Sequence, residues 1–375
     1  MSEAMVRATS ATSLEMQWSL GAIHAKPEKL RVGGDYPKTA LAEHLFHSFG
    51  LLQIVAPLLP SVIKTDFPVL EIAKSLTEAM YLCEGRQAPD WHVPGFEQQT
   101  GQGVAAPGSK AVVTYSGGKD SMWNLMHTRD EGYEPLAVHI RGLNQSVARS
   151  EHKDVLKQQA LMQFPLAVVD LENSSLQKGR LIVRSRDVFL TALAVPLALE
   201  YGADKIYLEG AVAPDTPGTQ FCLRASTWET YNELLKQAGL PVQMVGTDRG
   251  EIDSIRDLLE QHPDWMPLVS NCFTMTGLRE SVAGKFLEAA PSSRNRQPKF
   301  PLYDSQCARC LKCRTVNLTR VLYDPIMQNP ELRPDIAFFL QDTTKWLKGK
   351  RREIADIMDP GFDDLLAQAY AHLEV

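Results

Sequence analysis

The chain is expected to be α/β: a parallel sheet of about five strands with helices on both faces, joined to a mainly helical N-terminal region and a helical C-terminal segment. Two observations predict this. Between residues 111 and 246, short β-branched runs alternate with helix-patterned stretches, the pattern of a parallel sheet with crossover helices. A polar glycine loop, SGGKDS (116–121), follows the first of those runs and precedes a helix. Open parallel sheets hold their ligands at such strand ends.

Taken in order, residues 1–96 read as mainly helical with some extended structure at the start, because 38–55 and 69–84 place apolar residues at helical spacing. A protein partner is the expected use of this region. EQQTGQGVAAPGSK (97–110) is polar and glycine-rich and reads as a linker. The sheet then takes AVVTY (111–115), PLAVHI (135–140), LAVVDL (166–171), KIYLEG (205–210) and VQMVG (242–246) as strands. Helices are expected from near Asp120, over 150–163, from about Asp187 to Tyr201, and over 227–238. The expected divisions are therefore a nucleotide-type domain over 111–267, a cysteine-bearing segment over 268–320 and a helical extension over 321–375.

The totals bound the function. At 375 residues the chain holds two or three packed units, and 44% hydrophobic with 22% charged residues is ordinary for a globular protein. A net charge of −6 gives no general basic field, so a nucleic-acid partner is not expected. KGKRR (348–352) is the one compact basic run, and such runs are usually solvated helix faces. The most apolar segment, Leu45 to Ile63, is broken by His47, Ser48, Gln53, Pro57 and Pro60. It reads as a core helix ending at the prolines, with no membrane partner. The start of the chain lacks a secretory pattern, and the expected compartment is the cytoplasm.

Two constellations carry chemistry. In the loop, Gly117 and Gly118 let backbone N–H groups approach a phosphate at a helix N-terminus. Ser116 and Ser121 add hydroxyls, Lys119 a point charge, and Asp120 a cap or a metal-facing carboxylate. The spacing is neither that of the Walker loop nor that of the dinucleotide fingerprint. In CARCLKC, Cys307, Cys310 and Cys313 stand at C-x2-C-x2-C, and Cys272 offers a fourth thiolate. Zinc and an iron–sulfur cluster both suit four thiolates.

SGGKDS matches the loop of the PP-loop ATP pyrophosphatases, and 111 to about 320 resembles one branch, the 7-cyano-7-deazaguanine synthases (QueC-like proteins). The resemblance rests on RSRDVFLTALAVPLALEYGADKIYLEG (184–210), on AVAPDTPGTQFCLRAST (211–227), on DRGEI (248–252), and on Cys272 with the later three cysteines. It implies ATP held by Ser116 to Ser121 with Mg²⁺, an adenosine site near His139, Ile140, Arg141 and Gly210, and Zn²⁺ on the four cysteines. It makes Lys119, Asp120, Arg186 and Arg249 the residues acting on the phosphates or the substrate carboxylate. It makes Asp215 and Arg224 readers of a deazaguanine-type acid. Lys119 departs from the family's apolar loop residue, Asp187 from its usual Asn, and 34 residues separate Cys272 from Cys307. Extended relatives occur in anti-phage defence, where the acid is joined to a protein amine. The rival classes are a tRNA-thiolating PP-loop enzyme with an iron–sulfur cluster and a nucleotide-binding scaffold. From the residues alone, His139 can equally be a hydrogen-bonded strand-end residue, and Asp215 a turn-forming aspartate.

Overall fold

A computed structural model describes residues 2–20, 23–24, 27–98, 109–142, 148–173, 185–216, 219–247, 249–269, 302, 310–354 and 358–374. The fold is α/β, a mostly parallel sheet with helices on both sides. The chain divides into two compact units, one taking 1–115, 124–148 and 164–248, the other 116–123, 149–163 and 249–375.

The strands in chain order are β1 (Ser2–Ser10), β2 (Ser13–Leu20), β3 (Ile23–His24), β4 (Glu28–Gly34), β5 (Val62–Thr65), β6 (Val69–Leu70), β7 (Asp90–His92), β8 (Phe96–Glu97), β9 (Lys110–Thr114), β10 (Glu134–Arg141), β11 (Leu166–Asn173), β12 (Lys205–Ala211) and β13 (Gln243–Thr247). The helices are α1 (Ala40–Val55), α2 (Glu71–Cys83), α3 (Lys119–Asp130), α4 (Ala148–Met162), α5 (Arg186–Tyr201), α6 (Ala225–Gln237), α7 (Glu251–Gln261), α8 (Leu311–Tyr323), α9 (Arg333–Ile354) and α10 (Phe362–Glu374).

All five expected strands are present, as β9 to β13, and they pair in parallel in the order β13-β12-β9-β10-β11. The sheet does not stop there. It continues through β4-β2-β1-β5-β7, about ten strands in line instead of five. The joint is antiparallel, with Val169 opposite Gly34 and Asn173 opposite Leu30. Asp35 fastens it further: its carboxylate accepts from the N–H of Val168 at 2.8 Å, and its own N–H donates to the Val168 carbonyl at 2.8 Å.

The N-terminal region therefore differs from the mainly helical expectation. Ala4 and Val6, Leu14 and Met16, and Leu30 and Val32 are buried at alternate positions, the period of a strand with one face in the core. Both helices expected in this region are present. α1 is capped by the Thr39 hydroxyl, which accepts from Ala42 N–H at 3.2 Å, and it ends just before Pro57. Gly50 lets α1 approach the strands, since a Cβ there would stand 2.8 Å from a Leu14 methyl carbon. α1 and α5 pack together and share one core with the sheet, including Phe46, Phe49, Phe189 and Val195. Each fully buried side chain of this size stabilises by about 1.5–3 kcal/mol. The expected boundary near 97–110 thus separates no independent core; residues 99–108 of that linker lie outside those described.

In the other unit, α8, α9 and α10 bury Leu318, Phe339, Trp346, Phe362 and Leu365 against one another. α8 crosses the expected boundary at 320 without a break. Its two arginines are fully buried and paired. Arg314 bonds Asp342 and Thr343, each at 2.8 Å, and lies over the Trp346 ring; Arg320 bonds Asp324 at 2.9 Å. Hydrogen-bonded partners are what make buried cations tolerable. Among the described residues, no helix is long and apolar enough to cross a membrane.

Candidate functional site

The sheet's strand order reverses at β9, which has β10 on one side and β12 on the other. Such reversals are where open sheets place ligands, and SGGKDS follows β9 directly. Gly117 has φ +80°, a left-handed conformation that glycine adopts without strain. A Cβ at this position would also stand 2.8 Å from Gln158 Oε1. Ser116 Oγ accepts from Gly118 N–H at 3.3 Å, and Ser121 Oγ donates to the Gly118 carbonyl at 3.0 Å. The Gly118 carbonyl also takes the N–H of Met122, which starts α3. The first-turn N–H groups of a helix have no intrahelical acceptor, and with the helix dipole they favour an anion.

Lys119 is the centre of the loop's electrostatics. Its side chain is only 3% exposed, and its ammonium lies 2.7 Å from Asp120 Oδ2 and 3.2 Å from Glu251 Oε1. Burial alone would push this lysine down, but the two carboxylates outweigh it and hold it above the ordinary range. Burial likewise opposes ionisation of Asp120, and the charges of Lys119 and Lys312 overcome it, holding the carboxyl below the usual range. Asp120 keeps 29% of its side chain exposed, so it can also face a bound cation.

Arg249 lies against the same helix start. Its guanidinium is 3.2 Å from Asp257 and 5.9 Å from the centre of the Trp123 ring, and the Trp123 indole donates to that same Asp257 oxygen at 3.0 Å. Gln158 holds the loop from α4. Its amide nitrogen donates to the Gly117 carbonyl at 2.9 Å and to that of Leu268 at 2.7 Å, with the side chain fully buried. Lys119 and Asp120 are therefore brought together with Glu251, while Arg249 lies with Trp123 and Asp257; Glu251, Gln158, Trp123 and Asp257 are supports that sequence reasoning missed. Glu251 carried a signal, an acidic residue inside DRGEI; Gln158 carried none.

The residues expected at the adenosine and the substrate, and Arg186, belong to the sheet unit. His139 is buried, and its Nδ1 is 2.9 Å from the carbonyl of Tyr115, the residue before the loop. Ile140 is half-buried beside it, and Arg141 is bound to Asp170, whose hydrogen bond chiefly raises the guanidinium above its usual range. Gly210 lies in β12. Arg186 opens α5 and bonds its neighbour Asp187 at 2.6 Å. Burial, then the nearby Asp187, pushes the Cys222 thiol far up, so this cysteine is an unreactive core residue. Asp215 and Arg224 bracket one loop, closed by pairing of Ala213 with Arg224. Asp215 accepts from Ser226 N–H at 3.3 Å, and hydrogen bonds from Ser226 lead the effects that hold its carboxyl low. Arg224 donates to the Thr219 carbonyl at 2.9 Å.

Of the four cysteines, Cys310 and Cys313 are described and buried; Cys272 and Cys307 lie outside the described residues. Cys310 stands at the N-cap of α8 and Cys313 one turn on. Among the described residues no cluster of three or more metal-ligating side chains occurs.

No protein-family profile matches the chain. It is similar to a 7-cyano-7-deazaguanine synthase of Chloroherpeton thalassium, 27% identical over 153 residues, covering 35% of this chain and 67% of that one.

Proposed function

We propose that the chain is an ATP-dependent synthase of the PP-loop type, which activates the carboxylate of a 7-deazaguanine-type acid and joins it to nitrogen. The observation that carries this is the loop itself. A left-handed glycine, two hydroxyls and a buried lysine paired with two carboxylates stand at a helix start, directly after, in sequence, the strand where the sheet order reverses. The likeness to a 7-cyano-7-deazaguanine synthase supports the substrate class.

A free carboxylate is a poor electrophile. In the proposed reaction its oxygen attacks the α-phosphorus of ATP, an O–P bond forms, and the bond to the β-phosphate oxygen breaks to release pyrophosphate. An amine nitrogen then attacks the acyl carbon, loses a proton, and AMP leaves with the carboxylate oxygen. The product is an amide, either formed on a protein amine or carried on to a nitrile when the amide oxygen attacks a second ATP, pyrophosphate leaves, and loss of AMP and two protons leaves the C≡N bond. Ser116 to Ser121 would cradle the phosphates, with Lys119 as fixed charge. Arg186 and Arg249 are the residues to which the resemblance assigns stabilisation of charge on pyrophosphate or the carboxylate, each donor contributing about 3 kcal/mol in comparable sites. His139 to Arg141 and Gly210 would border the adenosine, and Asp215 with Arg224 the purine-like edge.

Asp120, ionised and partly exposed, fits Mg²⁺, an oxygen-seeking cation that would offset triphosphate charge there. Cys310 and Cys313, buried one helical turn apart, suit a tetrahedral thiolate site completed by Cys272 and Cys307. Zn²⁺ there would be structural. A protein acceptor, as in anti-phage conjugation, would dock on residues 1–96.

The test is pyrophosphate release with 7-carboxy-7-deazaguanine against a panel of acids and tRNA. Stimulation by the deazaguanine acid supports the reading. Stimulation by tRNA alone overturns the substrate class and favours sulfur transfer.

A further inference from the structure

α7 begins at Glu251 behind Gly250, which has no side chain with which to cap it. The missing acceptor arrives from 108 residues further along the chain. Asp359 Oδ2 accepts from the Glu251 N–H at 3.0 Å, while its Oδ1 accepts from Gly361 N–H at 2.8 Å. The seat is close. A Cβ on Gly250 would stand 3.2 Å from that Asp359 oxygen, and one on Gly361 would stand 3.2 Å from Ile252 Cδ1. Ile252 packs on the apolar cluster of α8, α9 and α10. The first turn of α7 is therefore fixed in place by the end of the chain.

That first turn holds the glycine loop's lysine. Glu251 is the first residue of α7, and its carboxylate lies 3.2 Å from the Lys119 ammonium. An uncapped helix start loosens at this position, and a carboxylate standing on it would lose its register with the lysine. A glutamate paired with a phosphate-binding lysine sets where that charge stands.

We propose that the C-terminal segment from residue 358 is part of the nucleotide site's support, with Asp359 as a positioning residue that sets Glu251 against Lys119. This rests on the reading that 116–121 hold ATP. It also gives the C-terminal extension a task in nucleotide binding.

The experiment is calorimetric titration of the full chain with Mg²⁺ and α,β-methylene-ATP, which needs no acid substrate. The proteins are wild type, D359A, D359N, E251Q and the double variant D359A/E251Q, each with an unfolding midpoint. D359A should bind about fivefold more weakly, the equivalent of one lost cap. D359N, whose amide oxygen can still accept from Glu251 N–H, should lose less. In the E251Q background, adding D359A should leave the affinity unchanged even as the unfolding midpoint falls. Wild-type affinity in D359A, or an equal loss with and without Glu251, overturns the inference. If D359A does not fold, D359N decides: wild-type affinity overturns and weakened affinity supports. Nucleotide binding that behaves as expected, without pyrophosphate release on any acid, would leave this inference standing and end the proposed reaction. A wild-type chain that binds no nucleotide ends both.

Discussion

Replacing Lys119 by Met keeps the apolar stem and removes the buried ammonium from between two carboxylates. Asp120 at 2.7 Å and Glu251 at 3.2 Å from that ammonium would then lose it, and only the charge of Lys312 would still favour the Asp120 carboxylate. Removing one partner of a buried ion pair costs about 3–5 kcal/mol. The carboxylates retain 29% and 17% exposure, and hydration reduces the expected loss to about 2–3 kcal/mol. The assay is urea unfolding at pH 7 and pH 5. The signs follow from the shifts. Asp120 is held low in the folded chain, so its contribution is present above the unfolded value of about 3.9 and is lost as pH falls through the folded one. Lys119 is held high, so its contribution is present below about pH 10.4 and is lost as pH rises through its folded value. Between pH 5 and 7 the contribution of the Lys119–Asp120 pair in the wild type is therefore constant. In the variant Asp120 keeps the burial that opposes its ionisation and loses the Lys119 charge that offsets it, so it takes up a proton more readily in the folded state and acidification to pH 5 should narrow the deficit by about 1 kcal/mol. A variant within about 0.5 kcal/mol of wild type at pH 7 would refute the triad, since that is the range of an unremarkable surface change. So would a deficit unchanged at pH 5.

Gln158→Leu strands the buried carbonyl of Gly117, at about 1–3 kcal/mol, and the half-buried one of Leu268, which costs less, so urea unfolding should show a loss of about 2–4 kcal/mol. The proposed thiolate site predicts one zinc per chain by elemental analysis, lost in Cys313→Ser together with a fall in the unfolding midpoint. Deleting residues 1–96 takes β4 from β11 and α1 from α5, so the remainder should be insoluble or unfolded by circular dichroism.

The parallel half of the sheet was legible because each strand is a β-branched run and each crossover an apolar-patterned helix. The N-terminal strands were harder to read. Their alternation of Ala4, Val6, Leu14 and Met16 with polar residues is a strand period, but serines, threonines and glutamates dilute it, and only pairing to β11 makes it decisive. α7 was passed over although Ile252, Ile255, Leu258 and Leu259 have helical spacing, because a cap supplied by Asp359 leaves no local start signal. At the site, SGGKDS announces a phosphate loop in its own letters. What holds that loop is not written locally: Gln158, Glu251 and Asp257 reach it from distant helices, and only folding selects them from the chain's many polar residues.

In the proposed reaction this chain splits ATP between its α- and β-phosphates to activate a carboxylate. The direct measurement is identification of the nucleotide and phosphate products, by chromatography, from the chain with Mg²⁺-ATP and 7-carboxy-7-deazaguanine. AMP and pyrophosphate are expected in equal amounts, dependent on the acid and lost in Asp120→Ala. ADP with orthophosphate, or AMP formation indifferent to the acid, would contradict it.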